Sequence, residues 1–200
     1  MKKIIFSTVV LATVGLLAFS YINELPIGAD MPKADVKMKD ISGKEVSLKD
    51  AAKKNGLLVM FSCNTCPYVI KNQGRTNEAG NYATAKNVGF IIVNSNEGQR
   101  SDADSYSAMQ QYAKKQGYKW HYVVDQNSVL ADAFGAKRTP ECYLFNKDGK
   151  LVYHGAIDDN PSNEGAVNRK HLKEAIDQLV KGEEISVKTS KSVGCSIKRL

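Results

Sequence analysis

An uninterrupted apolar run, Gly56-Leu57-Leu58-Val59-Met60-Phe61, leads through Ser62 directly into Cys63-Asn64-Thr65-Cys66-Pro67. A continuous apolar stretch of strand length reads as a strand covered on both faces. Pro67 fits the first turn of a helix, where its missing N–H costs little. The segment therefore reads as buried strand, two cysteines, helix. A strand covered on both faces needs sheet neighbours and helices above and below it, so the chain is expected to be α/β.

The remaining residues supply those layers. Val36 and Met38 alternate against Val46 and Leu48 across Ser42-Gly43, an N-terminal hairpin pattern. A short helix is expected over 49–55, and a longer one over 63–86 that Gly74 and Gly80 weaken. Val88 to Val93 and Trp120 to Val124 read as strands. Between them, 102–116 carries Tyr106, Met109, Tyr112 and Ala113 at helical spacing. A short helix over 129–134 stops at Gly135. Residues 142–145 and 151–153 flank Lys147-Asp148-Gly149 as a second hairpin. An amphipathic helix over 167–181 closes the pattern, which predicts a mixed central sheet flanked by helices.

Two hundred residues suffice for one domain with its own core. The net charge of +7 is scattered, as at Lys114-Lys115 and Lys198-Arg199, and makes no basic stripe with stacking aromatics. No nucleic-acid partner is expected. Lys2-Lys3 precede an uncharged stretch from Ile4 to Phe19, and Ala18-Phe19-Ser20 offers small residues to a signal peptidase. Residues 1–20 are expected to be a signal peptide or an N-terminal anchor, with membrane contact only through that segment if it is uncleaved. Residues 21–33 read as a linker, 34–184 as the domain and 185–200 as a C-terminal tail. The domain is expected outside the cytoplasm, in a periplasm-like compartment where disulfides persist.

Free amides at a helix start stabilise a negative charge, so Cys63 is expected to ionise readily and act as nucleophile. Cys66, one turn on, would resolve the mixed disulfide that results. A zinc site would want a second pair of Cys or His ligands. Cys142 and Cys195 are far apart in sequence, and His121, His154 and His171 form no motif. No metal and no cofactor are therefore expected. Arg138-Thr139-Pro140 lies just before a strand. A cis proline there would bring the Thr139 backbone beside the dithiol, where Thr139 and Pro140 could hold an extended partner by its main chain.

These segments, with Gly155-Ala156-Ile157-Asp158-Asp159 and Val193-Gly194-Cys195-Ser196-Ile197-Lys198, resemble the thioredoxin-like superfamily. The likeness is to its extracytoplasmic redoxin branch, related to thiol-specific antioxidant proteins. It covers about residues 34–200 and implies a thioredoxin fold with an N-terminal hairpin and an inserted strand-helix segment near 88–117. It also implies a thiol-disulfide oxidoreductase acting on protein thiols and disulfides, with a membrane electron donor as a possible partner. Two departures stand out. Ser62 occupies the place of a tryptophan frequent in thioredoxins, and the 57–61 strand holds no carboxylate to accept a proton from Cys66. Glu97 is the candidate substitute.

Cys142 reads as a small buried hydrophobe, with a Cys142–Cys195 disulfide as the alternative. Asp158-Asp159-Asn160 reads as a solvated turn, with a cation site built from its oxygen ligands as the alternative. Two other functions remain as alternatives. A peroxiredoxin-like peroxidase resembles a Thr-x-x-Cys pattern, whereas Met60 stands three residues before Cys63. A copper-binding module of this fold, using His154, resembles a Cys-x-x-x-Cys spacing that this chain lacks.

Overall fold

The computed structural model describes residues 24–200, so the expected signal segment and the first residues of the expected linker lie outside the described residues. In chain order the elements are β1 (Met38–Lys39), β2 (Glu45–Val46), α1 (Leu48–Ala51), β3 (Leu57–Ser62), α2 (Pro67–Lys71), α3 (Gln73–Ala85), β4 (Gly89–Asn94) and α4 (Tyr106–Gln116). There follow β5 (His121–Val124), α5 (Val129–Phe134), β6 (Arg138–Thr139), β7 (Glu141–Phe145), β8 (Leu151–Gly155), α6 (His171–Lys181) and β9 (Cys195–Ser196).

The central sheet has the order β5-β4-β3-β7-β8. The three strands β3, β4 and β5 run parallel, while β7 and β8 are antiparallel to their neighbours. Every residue of β3 is buried, and its alternation divides the core in two. Leu57, Val59 and Phe61 pack with Ile91, Val93, Phe134 and Tyr143 on one face. Leu58 and Met60 pack with Ile92, Tyr122, Leu144 and Ile176 on the other. This is the two-faced burial that the apolar run requires, and the thioredoxin-like sheet with its N-terminal hairpin is as expected.

Local chemistry sets several boundaries differently from the sequence pattern. The helix expected over 63–86 is two helices, because buried Asn72 turns its side-chain amide to the carbonyls of Tyr68 (2.7 Å) and Pro161 (2.9 Å). Gly80 in α3 serves packing, since a Cβ there would run into the rings of Phe90 and Trp120. The helix expected from 102 begins at Tyr106, with Ser105 capping the Ala108 amide. The one expected over 49–55 shortens to α1, held by a capping box between Ser47 and Asp50.

Asp158 is a correction to the solvated-turn reading. It is buried, and its carboxylate accepts from Arg75 of α3 at 2.6 Å, with both side chains 5% exposed or less. Arg75 also donates to the carbonyls of Asn160 and Pro161, so one guanidinium ties α3 to the loop after β8. The expected linker is likewise docked from Leu25 onward: the amides of Leu25, Gly28 and Met31 donate to Phe134, Leu151 and Gly149. Among the described residues, no helix is long and apolar enough to cross a membrane.

Breaking a buried pair from one side leaves an uncompensated charge. Arg75→Ala should cost about 3–5 kcal/mol, read as a lowered urea midpoint at unchanged slope. A loss below about 1 kcal/mol, the range of surface pairs, would contradict the burial of this pair.

Candidate active site

Ser62 ends β3 and Pro67 opens α2, so the chain between them must turn over the C-terminal end of the central strand. That turn carries Cys63 and Cys66, which are 2% and 4% exposed and are both free thiols. Cys66 is the N-cap residue of α2.

Asn64 pins the turn from three sides. Its backbone amide donates to Asp104 (2.8 Å), its side-chain amide donates to the Ala103 carbonyl (2.9 Å), and its carbonyl accepts from the Tyr122 hydroxyl (2.8 Å). Asp104 is wholly buried and also accepts from Asn94 (2.7 Å) and Asn96 (2.9 Å). Pattern reading passed over Asp104, because an aspartate in a polar loop looks the same whether it is solvated or buried.

β6 closes the site from the other side. The Thr139–Pro140 peptide bond is cis, as expected. The Thr139 hydroxyl lies 3.5 Å from the Cys63 sulfur, and its carbonyl accepts from the Cys66 thiol at 3.3 Å. Glu141, the residue after the proline, is buried and fixes this segment. One of its carboxylate oxygens accepts from the amides of Lys137 and Arg138, each at 2.8 Å. The other bonds to His154 Nε2 at 2.8 Å, and the His154 ring stacks on Tyr143. His154 is thus a partner of Glu141. Among the described residues, no group of three or more His, Cys, Asp or Glu is arranged to hold a metal ion.

The two thiols titrate as a pair. The hydrogen bond from Cys63 pulls Cys66 down to about 4, against the opposing effect of burial and with help from Cys195 and the Val69 amide. The same bond pushes Cys63 well up, burial adds to the rise, and the Asp104 charge adds further. One thiol of the pair thus ionises early and the other late. A thiolate on Cys63 lies within reach of the Thr139 hydroxyl.

Glu97 is not a partner of the dithiol. Its carboxylate takes the Asn127 amide (2.5 Å) and lies 3.5 Å from Arg100 Nε. Nor do Cys142 and Cys195 meet. Cys142 is wholly buried under the sheet with Met60 and Tyr153, while Cys195 packs beside Cys63, Cys66 and Val69.

Two measurements test this electrostatic picture. Alkylation of the reduced protein by iodoacetamide should remain fast as pH falls toward about 4, the range to which Cys66 is pulled down. A rate that drops tenfold per unit below about pH 8.5 would be that of ordinary thiols. Asp104→Asn removes the charge facing Cys63, so the upper ionisation of the pair should fall, as read by ultraviolet thiolate absorbance. The same change turns an acceptor into a donor against Asn64, Asn94 or Asn96 and should cost about 1–3 kcal/mol of stability.

Comparisons with known proteins bear on the family and the fold. The Redoxin family model matches residues 26–172. A conserved protein of uncharacterized function from Geobacillus kaustophilus is 33% identical, with a TM-score of 0.82 over 89% of this chain and 94% of that one. A hypothetical protein from Sinorhizobium meliloti 1021 is 27% identical, with a TM-score of 0.81 over 89% and 97%. A Chlorobium tepidum protein described as a thiol:disulfide interchange protein DsbE shares the fold at 19% identity, with a TM-score of 0.57 over 80% and 98%. No curated protein matches the sequence. The chain belongs to the redoxin family, and its fold and redox chemistry are of the thioredoxin type.

Proposed function

We propose that this protein is an extracytoplasmic thiol-disulfide oxidoreductase that reduces disulfides in other proteins through Cys63 and Cys66. The observation that carries the reading is the pair of thiols packed together at the start of α2, with Thr139 reaching both sulfurs. The Cys63 thiolate attacks a partner disulfide, and one partner sulfur leaves as a thiolate. Cys66 then attacks the mixed disulfide, so that Cys63–Cys66 is oxidised and the partner is reduced by two electrons. Thr139 and Pro140 border the dithiol and would hold the partner's main chain.

Asn64 and Thr65 place no charge between the cysteines, which favours a reductant over a strong oxidant. A reductant outside the cytoplasm needs a source of electrons, and a membrane donor would supply it. The Lys2-Lys3 and Ile4 to Phe19 pattern supports export. The peroxidase alternative gains nothing from the site, since Met60, at the position of the peroxidatic threonine, is a wholly buried core residue.

Thiol trapping of the purified protein in a glutathione redox series should show one two-electron transition that disappears in Cys63→Ser. A potential near or below about −270 mV, the thioredoxin value, marks a reductant. A potential near about −120 mV would reverse the proposed direction. Cys66→Ser should accumulate a mixed disulfide with a model disulfide protein. Turnover by Cys63→Ser at the wild-type rate would overturn the assignment.

A further inference from the structure

The C-terminal segment lies where a partner's backbone would have to lie. β9 pairs antiparallel with β6, setting Cys195 opposite Thr139 and Ser196 opposite Arg138. The approach is close: a Cβ at Gly194 would run into the Thr139 carbonyl oxygen. The Ile197 amide donates to the Lys137 carbonyl, and its side chain is buried in the core. Further along, the Lys198 amide donates to Asn96, and Arg199 donates to Asp132 (2.7 Å) and to the Ala136 carbonyl (2.7 Å). These contacts hold a third sulfur against the dithiol. Cys195 packs against the cluster of Cys63, Cys66 and Val69, opposite Thr139 on the paired strand.

We propose that Cys195 is a third redox cysteine, which takes the Cys66 sulfur from the oxidised dithiol by exchange, with the tail serving as a built-in substrate strand. This rests on Cys63 and Cys66 being the redox pair. In the step, the Cys195 thiolate attacks the Cys66 sulfur, so an S195–S66 bond forms and the S63–S66 bond breaks. Cys63 leaves with the electron pair as a thiolate beside the Thr139 hydroxyl, and the Cys195 proton passes to solvent. One disulfide replaces another, so no external oxidant or reductant is needed. The oxidising equivalent is then held between Cys66 and Cys195, and Cys63 is free to engage a partner. Cys142, wholly buried in the other half of the core, takes no part.

The test is peptide mapping of the full protein, oxidised with excess oxidised glutathione, quenched in acid, alkylated and digested with trypsin. Cleavage after Lys54, Lys71, Lys191 and Lys198 puts both dithiol cysteines on peptide 55–71 and Cys195 on peptide 192–198. The expected product is these two peptides joined, with the alkyl group on Cys63, in at least about one oxidised molecule in ten, an exchange constant within tenfold of unity. The Cys63→Ser variant should likewise form a Cys66–Cys195 link in place of a glutathione adduct. If every oxidised molecule holds Cys63–Cys66 with Cys195 alkylated, and Cys63→Ser yields only the glutathione adduct, the proposal is overturned while the dithiol reading stands. If no link forms at Cys63 or Cys66 under any condition, both readings fail together.

Discussion

Burial of β3 on both faces is the constraint from which the site follows. A strand with no exposed residue has its register fixed by two cores at once, because a slip by one residue would send each side chain into the wrong layer. Its last residue therefore lies at a fixed height in the sheet, and the turn after it sits over the C-terminal end of the central strand. The dithiol inherits that position from Leu57, Val59 and Phe61 on one side and from Leu58 and Met60 on the other. Nothing within the Cys-x-x-Cys segment could supply the same precision on its own.

Around that fixed end, three buried carboxylates perform one task in three places. Asp104 gathers the amides of Asn64, Asn94 and Asn96. Glu141 gathers the backbone amides ahead of Pro140 together with His154. Asp158 holds Arg75 and, through it, the loop after β8. Each satisfies donors that burial would otherwise leave unpaired, a penalty of about 1–3 kcal/mol apiece. Asp104 also has an electrical effect, since its charge opposes ionisation of Cys63.

The features that the sequence disclosed are those whose cause is local. The apolar run, the cysteine spacing, Pro67 and the hairpin turns each carry their reason within a few residues. What escaped reading depends on contacts across the chain. The break at Asn72 needs Pro161, the burial of Asp158 needs Arg75, and the role of His154 needs Glu141. Glu97 looked suitable because it is an acid in a loop near a strand end, yet Arg100 and Asn127 claim it. Asp104 carried no signal of its own. The tail motif was visible, but the sequence suggested only Cys142 as a partner for its cysteine, whereas it packs beside Cys66. A two-residue strand decides that placement, and so short a strand leaves no periodicity to read.

The docking of Ile197 sets how often the edge of β6 is open. Lifting the tail exposes this side chain, whose burial is worth about 1.5–3 kcal/mol. Taken alone, about 2.7 kcal/mol would leave the edge vacant in about one molecule in a hundred. A partner strand that competes for Thr139 would then bind about a hundredfold more weakly than the bare edge allows. The protein would thus be selective by occupancy: an extended segment too weak to displace its own C-terminus would be turned away before either sulfur was reached.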